Sequence, residues 1–238
     1  SGVPSLYQRK IACGTADISR GPAMTASQAE QCLQTGCDIV TELKAGGMQI
    51  IATGEMGIGN TTTSAAMACA MLDRSPEEIT GRGAGLSDAG LLHKREVIRQ
   101  ALRQNPIEGA GPLEALQKLG GFDIGVMAGI FLGGAVHRIP IVIDGFISGI
   151  AALTAARLQP ACLDFMFASH QSEEPAARLV LEALGKKPVL HARMALGEGT
   201  GAAMLFPLLD SALSVYRQSH TFQDIGMEAY LTHGEKRT

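Results

Sequence analysis

The chain has 238 residues, of which 46% are apolar and 18% are charged, and its formal net charge is −3 at pH 7. This length can bury a substantial core, either as one α/β domain or as a domain with a small helical annex. The acidic balance and an aromatic content of only 4%, without tryptophan, argue against a nucleic-acid partner, which requires a basic face or stacking side chains.

Cysteine and histidine usage narrows the class of protein further. The five cysteines form no CxxC pair, and the six histidines show no metal-ligand spacing, so we predict no metal site and no cofactor. Free cysteines of this kind favour a reducing, cytoplasmic location. We also predict no membrane association, since we find neither a signal peptide nor an apolar stretch long enough to cross a bilayer.

The residue patterns predict helices that alternate with short strands. Residues 1–24 are expected to be irregular, and Thr25 with Gln28 forms a capping box for a helix to about Ala45, stopped by Gly46 and Gly47. Strands are predicted at 48–53, 139–143 and 165–168. Further helices are predicted at 61–72, 87–104 (N-cap Ser87), 112–118, 123–136, 146–158, 174–184 and 201–217. This order predicts an α/β fold, a parallel sheet flanked by helices (Rossmann-like) with a small helical domain.

The loop between the first strand and its helix, residues 54–63, reads GEMGIGNTTT. Gly54, Gly57 and Gly59 allow the backbone to turn sharply and to approach a ligand closely. The N–H groups at the following helix start, from Asn60 onward, would stabilise an anion such as a phosphate. No Gly-Lys-Ser/Thr follows, so the loop is not a Walker A sequence. A tight strand-to-helix turn without a ligand is the alternative interpretation.

Polar groups also follow the other two predicted strands. Asp144 and Gly145 end the second strand, and the segment Ser169 to Ser172 ends the third. Since the carboxyl ends of parallel strands share one edge of a sheet, we expect these groups to converge there. Asp144 would bind ribose hydroxyls or cap the helix that follows it. Ser172 would be a ligand donor or a helix N-cap.

Glu198 and Lys94 are the charged residues that most suggest chemistry. Glu198 lies between two glycines, and in an apolar pocket its pKa would rise enough for it to take a proton near neutrality. Its alternative role is that of an acidic residue that favours a helix dipole. Lys94, beside His93 and Arg95, would neutralise a phosphate or belong to a solvated helix face. We expect His170 to be structural or exposed.

Five segments are more specific together than any one alone: GEMGIGNTTT at 54–63, GRGAGLSDAGLLHKREVIRQAL at 81–102, LGGFDIGVMAGIFLGGAVHRIPIVIDGF at 119–146, ASHQSEEPAARL at 168–179 and LGEGTGAAM at 196–204. In this order they resemble the nicotinate-nucleotide–dimethylbenzimidazole phosphoribosyltransferase family, and the resemblance covers nearly the whole chain. It implies transfer of 5-phosphoribose from nicotinate mononucleotide to 5,6-dimethylbenzimidazole, which gives α-ribazole 5′-phosphate and nicotinate.

The resemblance also implies roles for individual residues. Glu198 matches the glutamate taken as the general base, Glu55 is a second catalytic candidate, and Met56 would line the base pocket or simply pack. The substrate-binding residues implied in this way are Met56, Gly57, Gly59, Asn60, Lys94, Asp144, Gly145, Ser172 and Gly197.

The domain organisation predicted on this basis has a nucleotide-binding and catalytic domain over 1–200. The C-terminal helix and polar tail at 201–238 would belong to the small helical domain. Members of the family are homodimers with an additional N-terminal segment that contributes to the base pocket, so we expect a homodimer whose fold is incomplete at its N-terminus. A non-catalytic fragment that binds a mononucleotide or phosphate is the alternative function.

Overall fold

A computed structural model describes residues 7–83 and 85–228. The chain divides into two compact units, one that ends at Ala203 and one that begins at Met204. The predicted irregular start lies partly, and the polar tail from His233 entirely, outside the described residues.

The first unit contains a three-stranded parallel sheet and most of the helices. Its strands are β1 (Ile51–Ala52), β2 (Ile141–Ile143) and β3 (Met166–Ala168). The helices of the described residues are α1 (Ala26–Ala45), α2 (Thr61–Leu72), α3 (Pro76–Ile79), α4 (Asp88–Gln104), α5 (Pro112–Leu119), α6 (Phe122–His137), α7 (Phe146–Leu158), α8 (Ala177–Ala183) and α9 (Thr200–Gln218), which crosses into the second unit.

The strand order in the sheet is β1-β2-β3, so the central strand is the second in sequence. Ile51 pairs with Ile141, and Ile141 pairs in turn with Met166. All three residues of β2 are buried, as expected for a strand covered on both faces. Pro140 precedes β2, where its missing N–H costs no ladder bond, and its carbonyl accepts from Ile51 N–H at 3.0 Å.

Close helix contacts hold the first unit together. A Cβ added to Gly36 of α1 would lie 2.5 Å from the backbone nitrogen of Ile130 in α6, and one added to Gly129 would lie 2.9 Å from Cα of Leu33. The glycines therefore let the α1 and α6 backbones touch, so larger residues would force the helices apart. This contact fixes α6, whose first turn borders the candidate site described below.

Most of the predicted elements are confirmed, including both predicted caps. Thr25 and Gln28 form the capping box of α1, and the hydroxyl of Ser87 accepts from Gly90 N–H at the start of α4. The predicted helix 174–184 begins later than expected, at Ala177. The preceding residues contact the segment before α9 instead, since Glu173 N–H donates to the carbonyl of Met194. Helix α3 and the 3₁₀ helices 108–110 and 160–165 were not predicted.

The second unit contains the rest of α9 and a turn. Pro207 lies inside the helix, and its carbonyl accepts from Ser211 Oγ at 2.8 Å. After the helix, the hydroxyl and N–H of Thr221 both donate to Asp224. Of the helices that the structure describes, none has the length and apolar character needed to span a membrane.

Candidate active site

The segments that follow the three strands meet at the carboxyl edge of the sheet, as predicted for a parallel arrangement. They enclose a cavity of about 160 Å³. The loop after β1 forms one wall, and residues 145–147 and 170–174 form another. Met194 to Gly197, just before α9, form the third wall. The residues that line this cavity include Glu55, Met56, Gly57, Thr61, Gly145, His170, Ser172, Glu174 and Gly197.

Two helices direct their N-termini at this cavity. Thr61 opens α2, and Gly145 is the N-cap of α7; neither helix has a side-chain cap bond. The first N–H groups of a helix lack intrahelical partners, and together with the helix dipole they attract an anion. Gly57 and Gly59 have φ values of +82° and +83°, which L side chains rarely adopt. Gly57 lines the cavity, whereas Gly59 lies in the loop beside it.

Glu55 and Glu198 are held next to each other through the backbone. The N–H of Glu198 donates to the carbonyl of Glu55 at 2.8 Å. The two loops touch at glycines, since a Cβ on Gly54 would lie 2.5 Å from Cα of Gly199. Glu198 itself has a φ of +58°, an uncommon conformation for a residue other than glycine. This strain is consistent with a functional constraint on the loop.

Glu198 lies on an open cleft and not in an apolar pocket, so the environment suggested from the sequence is wrong for this structure. Its side chain is exposed, and it lines the cleft together with Glu55 and Met56. Met56 is itself 67% exposed. Glu55 lines both the cavity and the open cleft. The two carboxylates therefore mark the border between an enclosed space and an accessible one.

Glu55 is half-buried, and its pKa is raised above the usual glutamate range. Burial is the largest cause, because it penalises the charged form. Hydrogen bonds from the Asn60 amide and from Gly57 N–H lower the pKa, and the like charges of Asp123 and Asp144 raise it again. Such a carboxyl group is closer to proton exchange near neutrality than an ordinary glutamate.

Asp144 holds the loop that carries Glu198. It also caps a helix other than the one proposed from the sequence. It is only 2% exposed. Its carboxylate accepts from Gly199 N–H at 3.2 Å and from Ala202 N–H at 2.9 Å. It thus caps the start of α9, not α7, which follows Asp144 in the chain. Both oxygens already have backbone partners in the first unit.

Lys94 lies beneath Gly81 and not on a solvated face. It is 6% exposed, and its ammonium donates to Thr61 Oγ1 at 3.0 Å and to the Gly81 carbonyl at 3.2 Å. Burial lowers its pKa, and the charge of Glu174 raises it. Thr61 lines the cavity, so the positive charge is one side chain away from it.

Ser172 and Gly145 face each other at the cavity wall, where a Cβ on Gly145 would lie 3.7 Å from the Ser172 side chain. Ser172 is not the N-cap of α8, a position that Ala176 occupies. His170 is buried and not exposed, and it lines the cavity. It is 5% exposed, lies 3.0 Å from Ser169 Oγ through Nδ1, and has a pKa lowered by burial.

Asp123 is the site residue that we did not predict from the sequence. The amide of Asn60 donates to both Glu55 Oε2 at 2.8 Å and Asp123 Oδ2 at 2.7 Å. Asn60 therefore contacts two carboxylates and does not line the cavity. The only sequence signal for Asp123 was its place in the first turn of a helix after Gly120 and Gly121, which a helix dipole already explains. Within the described ranges, no cluster of three or more His, Cys, Asp or Glu residues could hold a metal ion.

A parallel sheet with a glycine loop and two open helix N-termini at its carboxyl edge is an arrangement that favours the binding of a phosphate-bearing ligand. A family model described as "Phosphoribosyltransferase" (DBI_PRT) matches residues 2–227. The chain belongs to this phosphoribosyltransferase family.

Two curated relatives carry the name nicotinate-nucleotide–dimethylbenzimidazole phosphoribosyltransferase. The protein of Acetivibrio thermocellus is 47% identical over 94% of this chain, and that of Desulforudis audaxviator is 47% identical over 95%. In both cases the chain spans only 64% of the length of the relative. The crystal structure of CobT from Thermus thermophilus is 42% identical with a TM-score of 0.89, and the match covers 96% of this chain and 68% of that one.

Proposed function

We propose that this protein transfers 5-phosphoribose from nicotinate mononucleotide to 5,6-dimethylbenzimidazole and releases nicotinate. The names of the relatives support this reaction, and the proposal extends it to a chain that spans 64% of their length. The observation that carries the proposal is the backbone bond between Glu55 and Glu198 at 2.8 Å, at the border of the cavity and the cleft. This border is where a sugar held inside would meet an incoming base.

The phosphoribosyl group would occupy the cavity. The open N-termini of α2 and α7 offer N–H donors to its phosphate. Lys94, bonded to Thr61, supplies the nearby positive charge. The proposed contacts to the sugar phosphate come from Gly57, Gly59, Gly145, Ser172 and Gly197.

Glu198 would act as the general base. One nitrogen of dimethylbenzimidazole attacks the anomeric carbon while the bond from that carbon to the nicotinate nitrogen breaks. Nicotinate leaves with the bonding electron pair, and the proton on the other benzimidazole nitrogen passes to the Glu198 carboxylate. Attack from the opposite face inverts the β-configured nucleotide to an α-configured product. The exposed position of Glu198 on the open cleft suits a base that meets the incoming ring there.

Glu55 would assist at the sugar. The sugar gains positive character as nicotinate departs, and a nearby carboxylate stabilises such a cation. Glu55 lines the cavity as well as the cleft, so its carboxylate is available on the sugar side. Asn60 orients this group, and Asp144 holds the Glu198 loop through Gly199 N–H. We propose that Met56, exposed beside both glutamates, contacts the base.

Three wider features belong to the same proposal. A cytoplasmic location fits the five free cysteines. We also propose a homodimer, and a catalytic domain over residues 1–200 with the C-terminal helix as part of a small helical domain.

The reaction is tested by incubating the protein with nicotinate mononucleotide and dimethylbenzimidazole and by following the products by NMR. We expect free nicotinate and an α-configured ribazole phosphate in equal amounts. Saturable nucleotide binding in calorimetry without nicotinate release would instead favour the non-catalytic alternative.

A further inference from the structure

One amide nitrogen joins two carboxylates beside the candidate site. Nδ2 of Asn60 donates to Glu55 Oε2 at 2.8 Å and to Asp123 Oδ2 at 2.7 Å. An ionised carboxylate accepts hydrogen bonds and cannot donate them, so both groups require the nitrogen and not the oxygen of the amide. The orientation of the Asn60 side chain is therefore imposed by its two partners.

Asn60 makes these two bonds in place of a helix-capping bond. It is the N-cap residue of α2, a position where the asparagine oxygen normally accepts a helix N–H, yet no such bond is present. Its Oδ1 is buried and has no hydrogen-bond partner in the part of the chain that the structure describes. An unsatisfied buried acceptor is destabilising. The amide nitrogen thus stays on the two carboxylates while the amide oxygen has no partner among the described residues.

The helix dipole of α6 does not by itself explain the position of the Asp123 side chain. A helix dipole favours a negative charge there but does not require a bond to Asn60. Asp123 Oδ1 lies 2.5 Å from the place where a Cβ of Gly121 would be, so only glycine at 121 leaves room for this position of the carboxylate. The other oxygen, Oδ2, makes the bond to Asn60.

We propose that Asp123 is a positioning residue for Glu55 and acts through the amide of Asn60. With Oε2 held by Asn60, the other oxygen, Oε1, lies on the side of Gly197, at 3.7 Å from a Cβ built there. Gly197 lines the cavity, so Oε1 lies beside the cavity wall that Gly197 forms. This inference rests on the proposed function only for its catalytic consequence.

The charged and polar groups around Glu55 make the proposal measurable. Asp123 on α6 and Asp144 after β2 raise the pKa of Glu55, while the Asn60 amide and Gly57 N–H lower it. Glu198 is bonded to Glu55 only through the backbone. Removal of the Asp123 charge should therefore lower the pKa of Glu55, and removal of the Asn60 amide should raise it.

The direct test is ¹³C NMR of the whole protein labelled at the glutamate carboxyl carbon, with the Glu55 signal assigned by its loss in Glu55→Gln. We expect Glu55 to titrate at lower pH in Asp123→Asn and at higher pH in Asn60→Ala than in the wild type. Asp88→Asn is the matched control, since Asp88 is also an acid in the first turn of a helix and should leave the signal unchanged. Unchanged titration of Glu55 in both test variants would overturn the proposal.

Kinetic measurements test the positioning role of Asp123 separately from the proposed phosphoribosyl transfer. Asparagine at 123 keeps an acceptor for the Asn60 amide, so Asp123→Asn should keep kcat within a few-fold and shift the acidic limb of the pH profile downward. Asp123→Ala removes the acceptor and should lower kcat by about 10- to 100-fold through misorientation, with the KM for nicotinate mononucleotide little changed. If the protein shows no turnover but the Glu55 signal still shifts in the variants, the proposed reaction is contradicted and the positioning role of Asp123 is retained. Circular dichroism identifies a variant that fails to fold, and Asp123→Asn then carries the test.

Discussion

The N–H of Glu198 donates to the carbonyl oxygen of Glu55 at 2.8 Å, and this bond ties the loop after β1 to the loop before α9. Residues more than 140 positions apart in sequence are thereby fixed at one border between a cavity and a cleft. The bond joins backbone to backbone, so either side chain can be changed without removing it. The roles of the two carboxylates can therefore be tested independently of the loop geometry.

Gly54→Ala should separate these two loops. Its Cβ would lie 2.5 Å from Cα of Gly199 and within 3.0 Å of the Glu198 carbonyl carbon, both of them backbone atoms. Overpacking of this kind costs about 1–3 kcal/mol of folding stability. We expect a fall of that size in chemical denaturation, together with a loss of turnover. Gly21→Ala is the control, because nothing lies within 4 Å of a Cβ there; equal stability of the two variants would contradict the close contact.

Asp144→Asn should loosen the Glu198 loop while keeping the shape of the side chain. The carboxylate accepts from the N–H groups of both Gly199 and Ala202, and an amide would present its own NH₂ group to one of them. Loss of one buried bond with its partner left unsatisfied costs about 1–3 kcal/mol. Hydrogen exchange should become faster at the Gly199 or Ala202 amide and remain unchanged in the middle of α7. Unchanged exchange at both amides would contradict the capping role.

The sequence was informative wherever a local rule decides the structure. Spacing along the chain was enough to predict the caps at Thr25 and Ser87, the apolar runs of the strands and the convergence of polar groups at strand ends. The partner of Asp144 could not be predicted, because its bonds to 199 and 202 span more than 50 residues. Asp123 was missed for the same reason, since its contact with Asn60 is 63 positions away in sequence. The exposure of Glu198 depends on how whole segments pack, which no local pattern encodes.

Glu55→Gln should change how stability depends on pH. An unfolded glutamate has a pKa of about 4.3, and burial raises the pKa of Glu55 in the folded protein. Between these two values the folded state binds more protons, so this group makes the wild type less stable as the pH rises. The free energy of unfolding of Glu55→Gln should therefore increase relative to wild type from about pH 4 up through the folded pKa.

Denaturant titrations over this pH range measure the difference for Glu55→Gln. Glu30→Gln, at an exposed position of α1, should follow the wild-type dependence throughout. A difference between Glu55→Gln and wild type that is constant or shrinks with rising pH would show that Glu55 is not desolvated as described.

Lys94→Met should show whether Lys94 acts as a counter-charge to the phosphate or only supports its neighbours Thr61 and Gly81. If the charge acts on the phosphate, nicotinate mononucleotide should bind about 10- to 100-fold more weakly, as expected for loss of an interaction with a charged group. Nicotinate riboside, which has no phosphate, should bind unchanged in calorimetry. Lys187→Met, at an exposed position, is the control. Equal losses for both ligands would mean that Lys94 only supports Thr61 and Gly81.

The proposed transfer of a proton from the incoming base to Glu198 is tested by comparing product formation by wild type and Glu198→Gln. Both proteins are supplied with nicotinate mononucleotide and dimethylbenzimidazole, and nucleotide binding is checked by calorimetry. Loss of a general base lowers turnover by about 10²- to 10⁴-fold, so we predict a fall in kcat of that size with nucleotide affinity retained. A Glu198→Gln protein with wild-type turnover would show that Glu198 is not the general base.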